Sequence, residues 1–417
     1  MKETSILVVG GGIAGLTAAI EAAETGYHVT IVEKDPYLGG RAVMLNQYFP
    51  KLCPSYCGLE INFRRIRTNP NIRFLTMANV EEVSGQPRNY QVAIKLNPRY
   101  VVLDRCTACG ECVGACPVER PNEFNLGMDK TKAIYSPNVM PFPAKYVIDD
   151  RVCLGKTCAK CIAACRYDAI DLGMQTETVN LKVGSIILAT GWKPYDASKI
   201  DDLGFGKYDN VISNLMMERL AAIDGPTLGK IIRPSDGKEV RNVAFVQCAG
   251  SRDENHLPYC SAVCCLASLK QSFYVRERYP DSKVYIFYID IRTPGKYEDF
   301  YVKVQDDKNV TLVKGKVSKI EEDQKTKDLI VEADDTLSGN KVRLQVEMAV
   351  LATGMVPVAN ESGIANLDIT YDQYGFIQDG QQGGIYTAGV AKMPTDVASS
   401  VRSGSATALK AIQCVRD

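Results

Sequence analysis

The apolar positions of the chain change rhythm several times, and each change marks an element. Residues 6–9 are a short, wholly apolar run, the mark of a strand covered on both faces. The run meets Gly10-Gly11-Gly12-Ile13-Ala14-Gly15, after which small and apolar residues continue as a helix to Gly26. A second apolar run follows and ends on Glu33. Similar runs return at 186–189 and 349–352, each closed by Ala-Thr-Gly, and at 385–389 ahead of a helix-like stretch from Val397. Residues 91–96 and 176–181 instead alternate, as strands with one wet face do. They read as parts of one β-meander interrupted by an insert over roughly 99–173. Residues 308–349 alternate strand-like segments with charged turns. No apolar run approaches the roughly 18 residues of a bilayer span. The pattern predicts an α/β protein whose 417 residues suffice for two or three domains at about 100–200 residues each.

The opening stretch carries chemistry as well as an element pattern. A strand running into G-x-G-x-x-G, a helix, a second strand and an acid about 20 residues on form a dinucleotide-binding unit. Gly10 permits the tight turn, Gly12 lets the backbone approach a pyrophosphate, and Gly15 lets helix and strand pack closely. The helix N-terminus favours the anion, and Glu33 is placed for the adenosine ribose hydroxyls.

The insert changes the picture most. Cys106, Cys109, Cys112 and Cys116 stand in a C-x2-C-x2-C-x3-C-P run, in which three thiolates hold one 4Fe-4S cluster and the fourth reaches a second. Cys153, Cys158, Cys161 and Cys165 supply the complementary run, two residues longer between its first two thiols. The swapped rule gives one cluster Cys106, Cys109, Cys112 and Cys165, and the other Cys116, Cys153, Cys158 and Cys161. Closely spaced cysteines also bind zinc, and the spacing favours iron–sulfur. A disulfide framework belongs to short secreted chains. Fifteen cysteines in a chain with no recognisable signal peptide indicate metal or redox chemistry in a reducing cytoplasm. Lys plus Arg and Asp plus Glu are both 49, a balance that argues against a nucleic-acid partner. Cys53 and Cys57 lie in a Pro-containing loop, open to reading as extra ligands, as a redox pair or, as the spacing favours, as small apolar residues.

Gly39-Gly40-Arg41, the two Ala-Thr-Gly strand ends and Thr387-Ala388-Gly389 before the last helix together resemble the thioredoxin reductase-like flavoproteins with two dinucleotide domains. The resemblance implies FAD held by Gly10, Gly12, Ile13, Ala14, Gly15, Glu33, Lys34, Gly40, Arg41, Ala189, Thr190, Gly191, Gly389, Thr395, Asp396 and Val397. That family has Asp after the last glycine, where this chain has Val390, so Asp396 is the candidate substitute. Residues 1–98, 174–200 and 349–417 are then the FAD domain, 99–173 an inserted ferredoxin-like α+β module with two clusters, and 201–348 a nicotinamide-type domain.

In that last domain the strand from Asn242 ends on Cys248 where the nicotinamide fingerprint has its first glycine, and no Gly-x-Gly follows. Cys260, Cys264 and Cys265 come next, the first two i and i+4 on an expected helix, so that four thiols converge on a third 4Fe-4S cluster. Reduced thiols packed in a core are the alternative. The pattern C-x-G-S-R-D…Y-C-S-x-x-C-C resembles the heterodisulfide reductase A-subunit family, in which those four cysteines bind a cluster. Within it, length and the lack of further cluster regions resemble the branch of the quinone-interacting membrane-bound oxidoreductase of sulfate reducers. That branch implies electrons passed between adenylylsulfate reductase and a membrane quinone-reactive subunit, beside a second homologous flavoprotein subunit. The chain would then sit on the cytoplasmic face of the membrane through a partner, with no span of its own. An NAD(P)H-dependent iron–sulfur flavoprotein of the glutamate synthase small-subunit type is the alternative, disfavoured by the missing second fingerprint. His28 reads as structural and His256 has no assigned role.

Overall fold

The computed structural model describes residues 5–358, 367, 369–378, 381 and 383–416, and the chain forms two compact units. The first comprises 1–43, 56–192 and 357–417; the second comprises 44–55 and 193–356.

The first unit is built on a five-stranded parallel sheet in the order Ile385–Thr387, Ser185–Leu188, Ile6–Val9, Val29–Glu33, Ile72–Thr76. Ile6–Val9 lies in the middle and carries the helix Ile13–Glu24, which packs on the C-terminal helix Val397–Arg416. The strand is apolar on both faces because both are covered, one by the helix Ile13–Glu24 and the other by a second sheet. A second sheet is antiparallel, with Asn89–Leu96 between Ala78–Gln86 and Glu177–Val183. Tyr90, Val92 and Ile94 alternate into the core between the two sheets. Leu96 faces Glu177 in the register, so the chain leaves the meander at one and returns at the other. Between them lies a small module with two short helices, Glu111–Ala115 and Lys160–Ala164, and three two-stranded ladder fragments; its own core includes Val101, Ile134, Ile148 and Ile170.

The second unit repeats the parallel plan, with strands in the order Val211–Ser213, Met348–Thr353, Asn242–Ala249, Lys283–Tyr288, Val310–Lys314. The helix Cys264–Arg278 packs on this sheet, and a meander of Val317–Glu322, Leu329–Asp334 and Lys341–Val346 completes the unit. Three assignments from the sequence are corrected here. Residues 349–356, expected in the FAD domain, belong to the second unit: Met348–Thr353 is buried along its whole length between two parallel neighbours. The sequence holds two such runs ending Ala-Thr-Gly because each unit has its own sheet. Residues 44–55, expected in the FAD domain, and 193–200 also join the second unit. The first of these segments is fastened by a buried polar cluster: Glu218 accepts from the Asn46 N–H at 3.0 Å, and Lys270 Nζ donates to the Gln47 carbonyl at 2.7 Å.

Candidate functional site

The turn after Ile6–Val9 is shaped for a ligand. Gly10 has φ +108°, and a Cβ there would lie 2.2 Å from the Ala189 carbonyl oxygen. A Cβ on Gly15 would lie 1.9 Å from the Gly10 oxygen, so glycine is what lets helix and turn touch. Gly12 differs from both: a Cβ there would meet only the Gly40 Cα, at 4.0 Å. Its space is open, and it caps the helix Ile13–Glu24 with no side chain over the N–H groups of Ile13, Ala14 and Gly15. Glu33 is buried; its two oxygens accept from the Gly11 N–H at 2.7 Å and the Asp35 N–H at 2.9 Å. Burial, and then the neighbouring Asp35 carboxylate, push it up to about 7. A bound ribose would supply hydroxyl donors to the remaining lone pairs of this carboxylate.

The other residues expected around FAD lie in the same unit. Ala189 is buried, Thr190 Oγ1 is buried with no partner among the described residues, and Gly191 has φ +73°. Arg41 Nε donates to the Trp192 carbonyl at 3.3 Å, and Lys34 is exposed. Gly389 has φ +65°, and Thr395 stands half-buried ahead of the helix starting at Val397. Asp396, the candidate substitute for a carboxylate on the cofactor, accepts the Ser399 N–H on its Oδ1 at 2.7 Å and caps that helix. An open cradle at Gly12, an unsatisfied buried hydroxyl at Thr190 and a buried acid at Glu33 fit a dinucleotide.

The eight cysteines of the inserted module fall into two groups. Cys106, Cys109, Cys112 and Cys165 line one cavity. Cys116, Cys153, Cys158 and Cys161 line a second. Each short helix starts from a left-handed residue, Gly110 at φ +90° and Ala159 at φ +46°, which turns the preceding loop back over its cavity. The Ala169 N–H lies 3.4 Å from Cys165 Sγ and the Gly155 N–H 3.4 Å from Cys153 Sγ, donors suited to thiolates. Burial, with the neighbouring Cys106, pushes Cys112 up to about 12; burial also raises Cys161. Such thiols are protonated at neutral pH unless a cation takes the proton's place. Four thiols around each cavity fit the 4Fe-4S cluster that the spacing favours.

The second unit has the remaining thiols. Asn242–Ala249 bulges after Val246, and Cys248 sits in the bulge at φ +56°, a left-handed backbone where glycine is the usual residue. Cys260 is not on the helix as expected. Pro258 and Ala262, the latter at φ +61°, hold the chain out of helical geometry, and the helix begins at Cys264 with Val263 as its N-cap. The loop is held instead by Ser251 Oγ and Ser261 Oγ, 2.8 Å apart, and by Tyr259 Oη donating to the Met355 carbonyl at 2.8 Å. The four thiols are still electrostatic neighbours. Burial pushes Cys264 well up, and Cys248, Cys265 and Cys260 each add to the shift. Burial puts Cys265 at about 11 and also raises Cys248. The sequence reading missed Gln247, 3.3 Å from Cys265 Sγ, and Arg292, whose charge the Cys260 sulfur favours and which is paired with Asp290 at 3.2 Å. Arg292 lies 27 or more positions beyond the cysteines, and no local pattern marks it. Cys53 and Cys57 are both exposed.

Residues 5–54 match the family described as FAD dependent oxidoreductase, and residues 99–119 match the 4Fe-4S binding domain. An iron–sulfur A subunit of CoB–CoM heterodisulfide reductase from Methanopyrus kandleri is 41% identical over 97% of this chain and 63% of its own length. The A subunit of Methanocaldococcus jannaschii is 39% identical over 96% and 62%. Over nearly its whole length the chain is similar to the A subunits of heterodisulfide reductases, and it is a flavoprotein of that likeness. It spans a little under two thirds of the length of those relatives. Another relative, from Methanothermobacter thermautotrophicus, is named as the A subunit of an H(2):CoB-CoM heterodisulfide,ferredoxin reductase; it is 36% identical over 98% of this chain and 63% of its own. The fold is that of thioredoxin reductase: the T. acidophilum enzyme matches with a TM-score of 0.55 at 13% identity over 100% of both chains. The Lactococcus lactis enzyme matches with 0.54 at 13% over 99% of both. This heterodisulfide reductase A-like chain thus combines a thioredoxin reductase-like α/β fold of parallel sheets with a ferredoxin-like module.

Proposed function

We propose that this chain is an FAD and iron–sulfur electron-transfer subunit of a multi-subunit oxidoreductase, active only with its partners. The observation that carries the reading is Cys248. It occupies the left-handed turn where a nicotinamide site needs glycine, and its thiol is an electrostatic neighbour of those of Cys260, Cys264 and Cys265. FAD, when bound, exchanges electrons in pairs, and the clusters take them singly. The residues of the chain do the rest. Gly12 and the bare N-terminus of the helix Ile13–Glu24 would bind the pyrophosphate, Glu33 would orient the ribose, and the two cysteine groups of the module, with Cys248, Cys260, Cys264 and Cys265, would hold three 4Fe-4S centres. Without a hydride donor of its own, such a subunit exchanges electrons with proteins. We assign those partners as adenylylsulfate reductase, a membrane quinone-reactive subunit, and a second flavoprotein subunit homologous to this chain, on the cytoplasmic face of the membrane in sulfate reduction. This finer assignment rests on the resemblance to that branch and not on the cysteine motif, which marks the wider family; no helix among the described residues is long and apolar enough to cross a membrane itself. Stopped-flow mixing of the oxidised holoprotein with NADH or NADPH tests the reading. Flavin bleaching at a catalytic rate would contradict it, and reduction only in the presence of a quinol-reactive or reductase partner would support it.

A further inference from the structure

The two cysteine cavities of the inserted module are near repeats, yet their charged surroundings differ. Arg99 is 5% exposed, and every hydrogen bond it makes goes to a neutral oxygen. Its Nε donates to the Tyr146 carbonyl at 2.8 Å, Nη1 to Thr76 Oγ1 at 3.1 Å, and Nη2 to the carbonyls of Pro36 at 2.9 Å and Lys145 at 3.3 Å. No carboxylate among the described residues pairs with it. Burial pulls Arg99 down to about 10, so it stays charged at neutral pH, and the Cys106 sulfur is among the groups that favour that charge. Tyr146, on whose carbonyl it rests, lines the Cys106 cavity. A second cation joins it: Lys145 Nζ donates to the Cys106 carbonyl at 2.5 Å. The one carboxylate lining that cavity, Glu111, is exposed to water.

Around the other cavity the buried charges cancel. Arg120 is paired with Asp149 at 3.3 Å, both buried, and Arg151 with Asp149 at 2.7 Å and Glu123 at 2.9 Å. Asp149 is attached to the cavity wall, its carbonyl accepting the Cys153 N–H at 3.1 Å. Lys156 and Lys160 are exposed, where water and salt screen them.

We infer that Arg99 and Lys145 are positioning residues that hold uncompensated positive charge against the Cys106 group, making its cluster the more easily reduced of the pair. The inference rests on the proposed function, since it presumes a cluster in each cavity. Its physical basis is that reduction adds negative charge, which a fixed buried cation stabilises, and that net charge and hydrogen bonding set cluster potentials. Arg99 also touches Pro36 and Thr76 of the flavin domain, so the charge lies on the side of the module that meets that domain.

The test is a redox titration of the anaerobically prepared holoprotein, followed by electron paramagnetic resonance, with Arg99→Leu, Arg99→Lys and Lys145→Met. The signal lost in Cys109→Ser identifies the cluster of interest. At the potential where that cluster is half reduced in the wild type, Arg99→Leu is expected to lower its reduced-to-oxidised ratio at least tenfold, about 59 mV for one electron. Lys145→Met is expected to lower it severalfold, and Arg99→Lys to keep most of the wild-type ratio. The second cluster's ratio should move less than twofold in all three. If Arg99→Leu fails to fold, Lys145→Met decides alone, because Lys145 is only half-buried and its side chain donates to a single carbonyl. Iron present in both cavities with ratios unchanged, or with both clusters shifted equally, would overturn this inference and leave the proposed function standing. A wild-type protein without iron there would overturn both.

Discussion

At the scale of single residues, the glycines of the first turn separate binding from folding. A methyl on Gly12 meets no atom closer than 4.0 Å, whereas one on Gly15 would lie 1.9 Å from a backbone oxygen. Gly12→Ala should therefore keep the folded circular dichroism spectrum and its melting temperature but lose FAD. Gly15→Ala should cost at least the ~1–3 kcal/mol of an overpacked core, seen as a lowered denaturant midpoint. Glu33 adds a pH dependence. Its folded apoprotein value of about 7 lies above the ordinary carboxylate value, so between the two the folded chain holds the extra proton. Stability contributed by that protonated acid is present at low pH and is lost as pH rises through 7. Ribose hydroxyls donate to the charged form, so FAD binding releases the proton and affinity rises with pH. Flavin titration at pH 6 and pH 8 should give about a tenfold tighter dissociation constant at the higher pH, and Glu33→Gln should flatten the difference. The fingerprint glycines and Glu33 were legible because each solves a local problem that few residues can solve. Arg99, Arg292 and Gln247 were not, because their roles come from chain segments that only the tertiary fold brings together.

At the scale of elements, the reading succeeded where periodicity was long and failed where one residue overruled it. The meander was legible from alternation on either side of the insert, and the registers of its strands account for that alternation. The helix through Cys260 was not, because the left-handed Ala262 interrupts it and the helix starts only at Cys264. Residues 44–55 show a different failure. Nothing in their composition points to the second unit, and what ties them there is a buried cluster of Glu218, Lys270, Gln271 and Tyr274. Within it, Glu218 lies 2.9 Å from Lys270 Nζ, 2.7 Å from Gln271 Nε2 and 3.2 Å from Tyr274 Oη. Glu218→Ala would leave Lys270 buried and unpaired, which costs about 3–5 kcal/mol. Chemical denaturation should show that loss, and hydrogen exchange should show residues 44–55 losing protection first.

At the scale of the whole molecule, the α/β class, the thioredoxin reductase-like plan and the ferredoxin-like module were all legible, because each has a sequence signature with a mechanical cause. Domain limits were less so: two apolar runs ending Ala-Thr-Gly look alike in sequence, and only strand order assigns Met348–Thr353 to the second sheet. The grouping of thiols around two cavities in one unit and around Cys248 in the other leads to the central claim, that the chain carries FAD and three 4Fe-4S clusters. The direct measurement is iron, zinc and flavin analysis of anaerobically prepared protein. Four irons per cluster predict about twelve irons and one FAD per chain, with Cys264→Ser or Cys265→Ser reducing the iron to about eight and sparing the module. About eight irons in the wild type would remove the third cluster, and zinc in place of iron would contradict the account.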